Sequence, residues 1–130
     1  PCVHSILAAR LGRSEKAYEM YLRTSRLDLD DYNNEVHEGL HITSMGGTWM
    51  SMIYGFGGMM LKEGLLSFDP ALPDNWEALS FKILYRGRIL QVRIDKNKVS
   101  IENLEGGGVD LFLLGSKRHL EKSGSLLTKH

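Results

Sequence analysis

Phe81-Lys82-Ile83-Leu84-Tyr85-Arg86-Gly87-Arg88-Ile89-Leu90-Gln91-Val92-Arg93-Ile94 is the stretch that decides the fold of the second half of this chain. Phe81, Ile83 and Tyr85 alternate with polar neighbours, so they share one face of a strand. Arg86-Gly87 reads as a tight turn. Leu90, Val92 and Ile94 then share a face of the next strand. Downstream, Asp95-Lys96-Asn97-Lys98 is a second turn, followed by Val99 and Ile101 with Ser100 pointing outward. Gly106-Gly107-Gly108 separates this ladder from the apolar run 109–114. Short strands with turn signals at this spacing predict a small antiparallel β-sandwich.

Upstream the period changes. Pro70 and Pro73 mark a junction, and the boundary is placed at residues 64–68, giving segments 1–66 and 67–130. The first segment is helical. Val3 to Leu11 is short and apolar, with Gly12 as its stop. Ser14 is the predicted N-cap of a second helix that runs to about Arg26, with Ala17, Tyr18, Tyr21 and Leu22 facing inward. Asp28 to Leu40 is polar, contains Asn33-Asn34, and reads as a loop. A third helix is predicted from Ser44, with Met45, Trp49, Met52, Ile53 and Phe56 at helical spacing. Its apolar residues wrap most of the circumference, which calls for burial among other elements. The fold class is therefore α+β.

At the start of that third helix stands His41-Ile42-Thr43-Ser44-Met45-Gly46-Gly47-Thr48-Trp49. The first backbone N–H groups of a helix lack internal partners and carry partial positive charge. Two hydroxyls, an imidazole and two glycines at such a place form a candidate anion cradle. Taken alone, His41 reads first as a core histidine bonded to backbone, Thr43 and Ser44 can be simple caps, and Gly46-Gly47 can serve close helix packing.

Composition bounds the alternatives. The chain has 130 residues, 42% of them hydrophobic, with sixteen basic and sixteen acidic side chains. A chain of this size buries roughly two-thirds of its unfolded surface. A net charge of zero gives no electrostatic footprint for nucleic acid or an anionic membrane. No apolar run reaches the length of a membrane span. The single Cys2 forms no internal disulfide and favours a cytoplasmic setting. Pro1-Cys2-Val3 already reads as helix, so the chain is expected to be part of a longer protein.

Two segments together carry a family resemblance. Leu22-Arg23-Thr24-Ser25-Arg26-Leu27-Asp28-Leu29-Asp30-Asp31-Tyr32 and Gly39-Leu40-His41-Ile42-Thr43-Ser44-Met45-Gly46-Gly47-Thr48-Trp49 resemble glycoside hydrolase family 65, the family of maltose, kojibiose and trehalose phosphorylases. Pro1-Cys2-Val3-His4-Ser5 and Tyr54-Gly55-Phe56-Gly57-Gly58-Met59 are similar as well. Phe68-Asp69-Pro70 and Leu72-Pro73 match the family's C-terminal β-sandwich more loosely. One departure is Gly46, where relatives often have Ala.

The resemblance implies that residues 1–66 are the last helices of an (α/α)6 catalytic barrel and 67–130 its C-terminal β-sandwich. It implies inverting phosphorolysis of an α-glucoside, maltose by default, to β-glucose 1-phosphate and a free sugar. Inorganic phosphate is then the co-substrate, a disaccharide the other partner, and no metal or organic cofactor is needed. His41, Thr43 and Ser44 are carried over as phosphate ligands, with the amides of Gly46 and Gly47 as weaker candidates. Phosphate is already a nucleophile, so the carboxylate base that an inverting hydrolase uses to activate water is dispensable. The family's catalytic glutamic acid lies upstream, which predicts that this chain alone is inactive. A homodimer stays open. The competing readings are a trehalase-like hydrolase of the same family and a non-catalytic structural or carbohydrate-binding β module.

Other features carry less. Asp28, Asp30, Asp31, Glu35 and Glu38 lack the ligand rhythm of a Ca²⁺ loop and read as a solvated or hydrogen-bonding loop. His4, His37, His119 and His130 show no zinc-type spacing. Gly55-Phe56-Gly57-Gly58 follows a helix and not a strand, so it is no dinucleotide fingerprint.

Overall fold

The computed structural model of the chain describes residues 1–31, 34 and 36–129. The sequence readings that fall on Tyr32, Asn33, Glu35 and His130 lie outside the described residues. Two compact units emerge, Pro1–Phe56 and Gly57–His130.

In the first unit, α1 spans Cys2–Arg10 and α2 spans Ser14–Ser25. Gly12 ends α1 in a left-handed conformation at φ +69°. Its N–H donates to the Ala9 carbonyl at 3.0 Å, and the Arg13 N–H donates to the Ala8 carbonyl at 2.9 Å. This pair of bonds is the Schellman ending that glycine permits. The Arg13 carbonyl also accepts the first bond of α2, from Ala17 at 2.9 Å. Arg13, not the expected Ser14, is therefore the cap, and no side chain satisfies that end. The two helices form a hairpin locked by the buried Ser5 hydroxyl, which donates to the Ala17 carbonyl at 2.8 Å. Ala17 is fully buried, and Tyr21 meets Phe56 edge to face at 5.5 Å.

The predicted loop is partly ordered into helix. A single turn, α3, spans Leu27–Asp30, and a 3₁₀ turn spans Val36–Glu38. The third predicted helix is α4, Ile42–Met50, continued by a wider π-type turn, Ser51–Phe56. Its buried face differs from the expected one. Ile53 and Phe56 are buried, but Met45 and Trp49 are 51% and 45% exposed. Gly47, Ser51 and Gly55, four residues apart, are buried instead. A Cβ at Gly47 would lie 3.0 Å from Cys2 Cβ and 3.3 Å from Thr24 Cγ2, and one at Gly55 would lie 3.4 Å from Ile6 Cα. Small residues bring α4 close to α1 and α2, and this geometry outweighs the apolar count on the other face.

Gly47→Val is expected to destabilise the helical unit by about 1–3 kcal/mol through overpacking against Cys2 and Thr24. Gly46→Ala meets nothing within 4 Å and should be neutral or stabilising by up to ~1 kcal/mol through helix propensity. Thermal unfolding of the two variants side by side checks the contrast.

The second unit is a pair of four-stranded sheets. Strands β1 Met59–Lys62, β2 Leu65–Phe68, β6 Val109–Leu113 and β7 Ser116–Leu120 form one, in the order β1-β2-β6-β7. Strands β3 Ala78–Tyr85, β4 Arg88–Asp95, β5 Lys98–Glu105 and β8 Ser125–Lys129 form the other, in the order β3-β4-β5-β8. Leu90, Val92, Ile94, Val99 and Ile101 are fully buried from one sheet, as are Phe68 and Leu111 from the other. Phe68 meets Phe81 across the core at 6.4 Å between ring centroids.

The turns have clear local causes. Arg86-Gly87, Glu63-Gly64 and Leu114-Gly115 all place two consecutive residues at positive φ, the type I′ geometry whose twist suits a two-residue hairpin. At the β4–β5 turn, Asp95 Oδ1 accepts from the Asn97 and Lys98 N–H groups at 2.9 and 3.0 Å. Those bonds hold the Asp95 carboxyl below its ordinary pKa.

Two expectations change here. The chain divides between Phe56 and Gly57, not at 66/67, because the β1–β2 hairpin belongs to the sheet that β6 and β7 complete. The sheets are also not wholly antiparallel. β2 and β6 run parallel, with Leu66 opposite Leu111 and Phe68 opposite Leu113. After β2 the chain builds three strands of the other sheet and returns beside β2 in the same direction. The overall class is α+β, helices followed by two sheets dominated by antiparallel pairs.

Candidate functional site

The start of α4 gathers the residues of interest. His41 is the N-cap, and its carbonyl accepts from the N–H groups of Ser44 at 2.8 Å and Met45 at 3.4 Å. The Ile42 N–H turns back to the Leu40 carbonyl at 3.1 Å. These bonds leave the Thr43 N–H without a backbone partner among the described residues. Thr43 is exposed, and Ser44 is partly buried. Gly46 and Gly47 sit deeper, where each N–H is committed to a carbonyl four residues back. Gly47 is also buried against Cys2 and Thr24. Gly46 and Gly47 thus occupy the second turn, and Thr43 and Ser44 the first.

His41 is held from thirteen residues upstream. Asp28, on α3, accepts the His41 backbone N–H through Oδ2 at 3.0 Å. Its Oδ1 lies 2.5 Å from His41 Nδ1. Arg26 clamps Asp30 at 2.6 and 2.7 Å across the same turn. Asp31, at φ +47°, ends that turn and accepts the Val36 N–H at 3.1 Å. The connection is thereby folded back so that α3 reaches the start of α4.

The ring bond to His41, followed by the backbone bond and the attraction of the imidazole, holds the Asp28 carboxyl below its ordinary pKa. An ionised carboxylate only accepts hydrogen bonds, so Nδ1 carries the proton of this bond. The contribution of a carboxylate with depressed pKa is present above its unfolded value and lost as pH falls through the folded one. The Asp28–His41 bond should thus hold at neutral pH and be lost only in acid, as the carboxyl protonates below its ordinary range. A pH series following the His41 amide and ring signals by NMR checks this.

A second histidine–aspartate pair lies in the β unit. His119 bonds Asp110 at 2.6 Å across β6 and β7 on an exposed surface, which raises the His119 pKa and lowers that of Asp110. Among the described residues no three His, Cys, Asp or Glu side chains are grouped to hold a metal. No helix of the described residues is long and apolar enough to cross a membrane. Glu38 is exposed. Asp28 is the residue that sequence reasoning passed over: it was counted in the hydrogen-bonding loop without a partner, because a thirteen-residue separation carries no periodic signal.

The start of α4 thus brings together an imidazole at the cap position and two hydroxyls in the first turn. Residues 1–50 match the family model described as the glycosyl hydrolase family 65 central catalytic domain, and residues 59–120 match the family 65 C-terminal domain. The chain belongs to glycosyl hydrolase family 65. It is 50% identical over 106 residues to the maltose phosphorylase of Bacillus subtilis, a match that spans 82% of this chain and 14% of that protein. It is 43% identical over 122 residues to the alpha,alpha-trehalose phosphorylase of Thermoanaerobacter brockii, spanning 94% of this chain and 16% of that protein. A solved structure from the human microbiome, assigned provisionally as a kojibiose phosphorylase, superposes with a TM-score of 0.89 at 37% identity. That match covers 100% of this chain and 19% of the other. The chain thus spans a small fraction of the length of its relatives.

Proposed function

We propose that this chain is the C-terminal portion of an inverting disaccharide phosphorylase, comprising the last helices of an (α/α)6 barrel and the β-sandwich that follows. The observation that carries this reading is the α4 start, where Asp28-anchored His41 stands beside Thr43 and Ser44. In the proposed reaction, His41, Thr43 and Ser44 hold inorganic phosphate in line with the anomeric carbon. A phosphate oxygen forms the new bond to C1 as the glycosidic C–O bond breaks on the opposite face. The departing sugar oxygen takes a proton from a carboxylic acid outside this chain. Such positioning of a nucleophile supplies a large share of a barrier.

Maltose is the proposed disaccharide, supported by the 50% identity to a maltose phosphorylase. The relatives named for trehalose and kojibiose are also similar, so the linkage is chosen by parts other than this chain. A cytoplasmic setting fits such an enzyme. The test incubates the full-length protein with maltose, kojibiose or trehalose, with and without inorganic phosphate. β-Glucose 1-phosphate should form from one of them only when phosphate is present, and this chain alone should form none. Phosphate-independent release of glucose would favour the hydrolase reading and overturn this one.

A further inference from the structure

We infer that Asn103 is a latch that makes two chain crossings between the sheets of the β unit open and close as one. The crossing at 106–108 carries the chain from β5 to β6, and the crossing at 121–124 returns it from β7 to β8. Each leaves one sheet and enters the other. Asn103 bonds to both.

The signal is a polar residue where the strand calls for an apolar one. Val99 and Ile101 face the core from β5, and strand alternation places Asn103 next in that row. It is 1% exposed. A buried amide is costly unless it is hydrogen-bonded. Its Nδ2 donates to the Gly107 carbonyl at 2.9 Å and to the Glu121 carbonyl at 3.2 Å. Its backbone N–H donates to the Gly124 carbonyl at 2.9 Å, and the Gly124 N–H donates to the Glu121 carbonyl at 3.1 Å. Its Oδ1 is buried and accepts no hydrogen bond from the described residues. The position therefore selects the two donors of the amide and not its acceptor. Leucine would fill the space but leave two carbonyls without this donor, and aspartate would set a carboxylate against them.

Arg88 grips the same joint from the β3–β4 turn. Its Nε is shared between the Gly107 and Gly108 carbonyls at 3.2 and 3.1 Å, and its Nη1 donates to the Arg86 carbonyl at 2.6 Å. The Gly107 carbonyl thus accepts from both Asn103 and Arg88, as its two lone pairs allow. Gly106, at φ +101°, lets the backbones meet, since a Cβ there would lie 2.7 Å from the Gly87 carbonyl oxygen. Among the described residues, the hydrogen bonds of Arg88 reach Arg86, Gly107 and Gly108 and none in the 121–124 crossing. If each crossing answered only to its own bonds, a change at Arg88 would stop at the first. Through the latch it passes by way of Gly107 and Asn103 to the second.

The experiment is amide hydrogen exchange of the full 130-residue chain, read by NMR, in wild type, Arg88→Met, Asn103→Asp and the double variant. Arg88→Met keeps an unbranched apolar stem and removes the guanidinium. It should speed exchange of the Gly124 amide by up to about tenfold, the scale of one hydrogen bond. Asn103→Asp should speed it at least as much. Adding Arg88→Met to Asn103→Asp should change Gly124 no further, the non-additivity of coupled neighbours. Ile94 and Val99, paired toward the other end of the β4–β5 ladder, should keep their wild-type rates in Arg88→Met. A wild-type rate at Gly124 in Arg88→Met overturns the inference. So does a rise shared equally by Ile94 and Val99, which would be unfolding of the whole unit. Arg88→Met alone decides if Asn103→Asp does not fold.

Discussion

His41→Ala in the full-length protein should lower phosphorolysis by about 10²- to 10³-fold in kcat/KM for phosphate, the range for removing one preorganised polar contact to a reacting anion. The loss should appear with phosphate as the varied substrate and leave KM for the disaccharide little changed. Stability should move little. The contact from Asp28 Oδ2 to the residue-41 backbone N–H does not depend on the side chain, so α4 keeps that cap. The variant loses the ring bond to Asp28 but keeps the backbone one, so it should stay folded with at most a modest fall in Tm. Steady-state kinetics with phosphate varied, paired with a thermal melt, checks both halves. A large loss of stability with an unchanged phosphate dependence would make His41 a structural residue.

Gly58→Ala should be the most damaging single change in the β unit. Gly58 is at φ +61°, and a Cβ there would lie 1.9 Å from the Asp69 carbonyl oxygen and 2.7 Å from Pro70 N. The Gly58 carbonyl accepts the Asp69 N–H at 3.1 Å, one step beyond the Met59–Phe68 pair of the β1–β2 ladder. The obstacle is backbone, which cannot swing away as a side chain would. Relief requires opening the end of the hairpin, and Phe68, fully buried, is the neighbour that would move. The expected cost is about 4 kcal/mol or more, the scale of exceptional single substitutions. For a domain of this size that corresponds to a fall in Tm of roughly 15 °C or more. Gly64→Ala is the control: it also has positive φ, at +75°, but meets nothing within 4 Å, so only the backbone penalty of about 1–2 kcal/mol applies. Equal melts for the two variants would refute the steric account.

How much of this was legible in the sequence depended on how local each cause was. The Phe81–Ile94 stretch gives β3, its turn and β4 because side-chain alternation and the Arg86-Gly87 pair are both local. Gly12 as a helix stop is likewise local. The β1–β2 hairpin was missed because Met59–Lys62 and Leu65–Phe68 are four residues each, too short for a period to register. The parallel β2–β6 pair is a matter of long-range topology, which no local pattern encodes.

The face of α4 was misread for another reason. Counting apolar residues favours Met45 and Trp49, whereas the close packing of Gly47 and Gly55 depends on what they lack. At the candidate site the cap position of His41 was within reach of a cap-and-dipole argument, but its anchor was not. Asp28 lies on a single-turn helix, and its partner is identified only when the chain folds back. The family resemblance in residues 22–32 and 39–49 brought both residues into view without stating that they touch.

The most direct test of the central claim is a phosphate titration of the isotope-labelled chain, following the amide signals of Thr43 and Ser44 and the ring of His41. The account predicts localised, saturable shifts at these three residues, with little change at Gly46, Gly47 or the β unit. A folded chain whose His41, Thr43 and Ser44 signals stay fixed, or whose phosphate response falls instead on the exposed cations of β7, would contradict it.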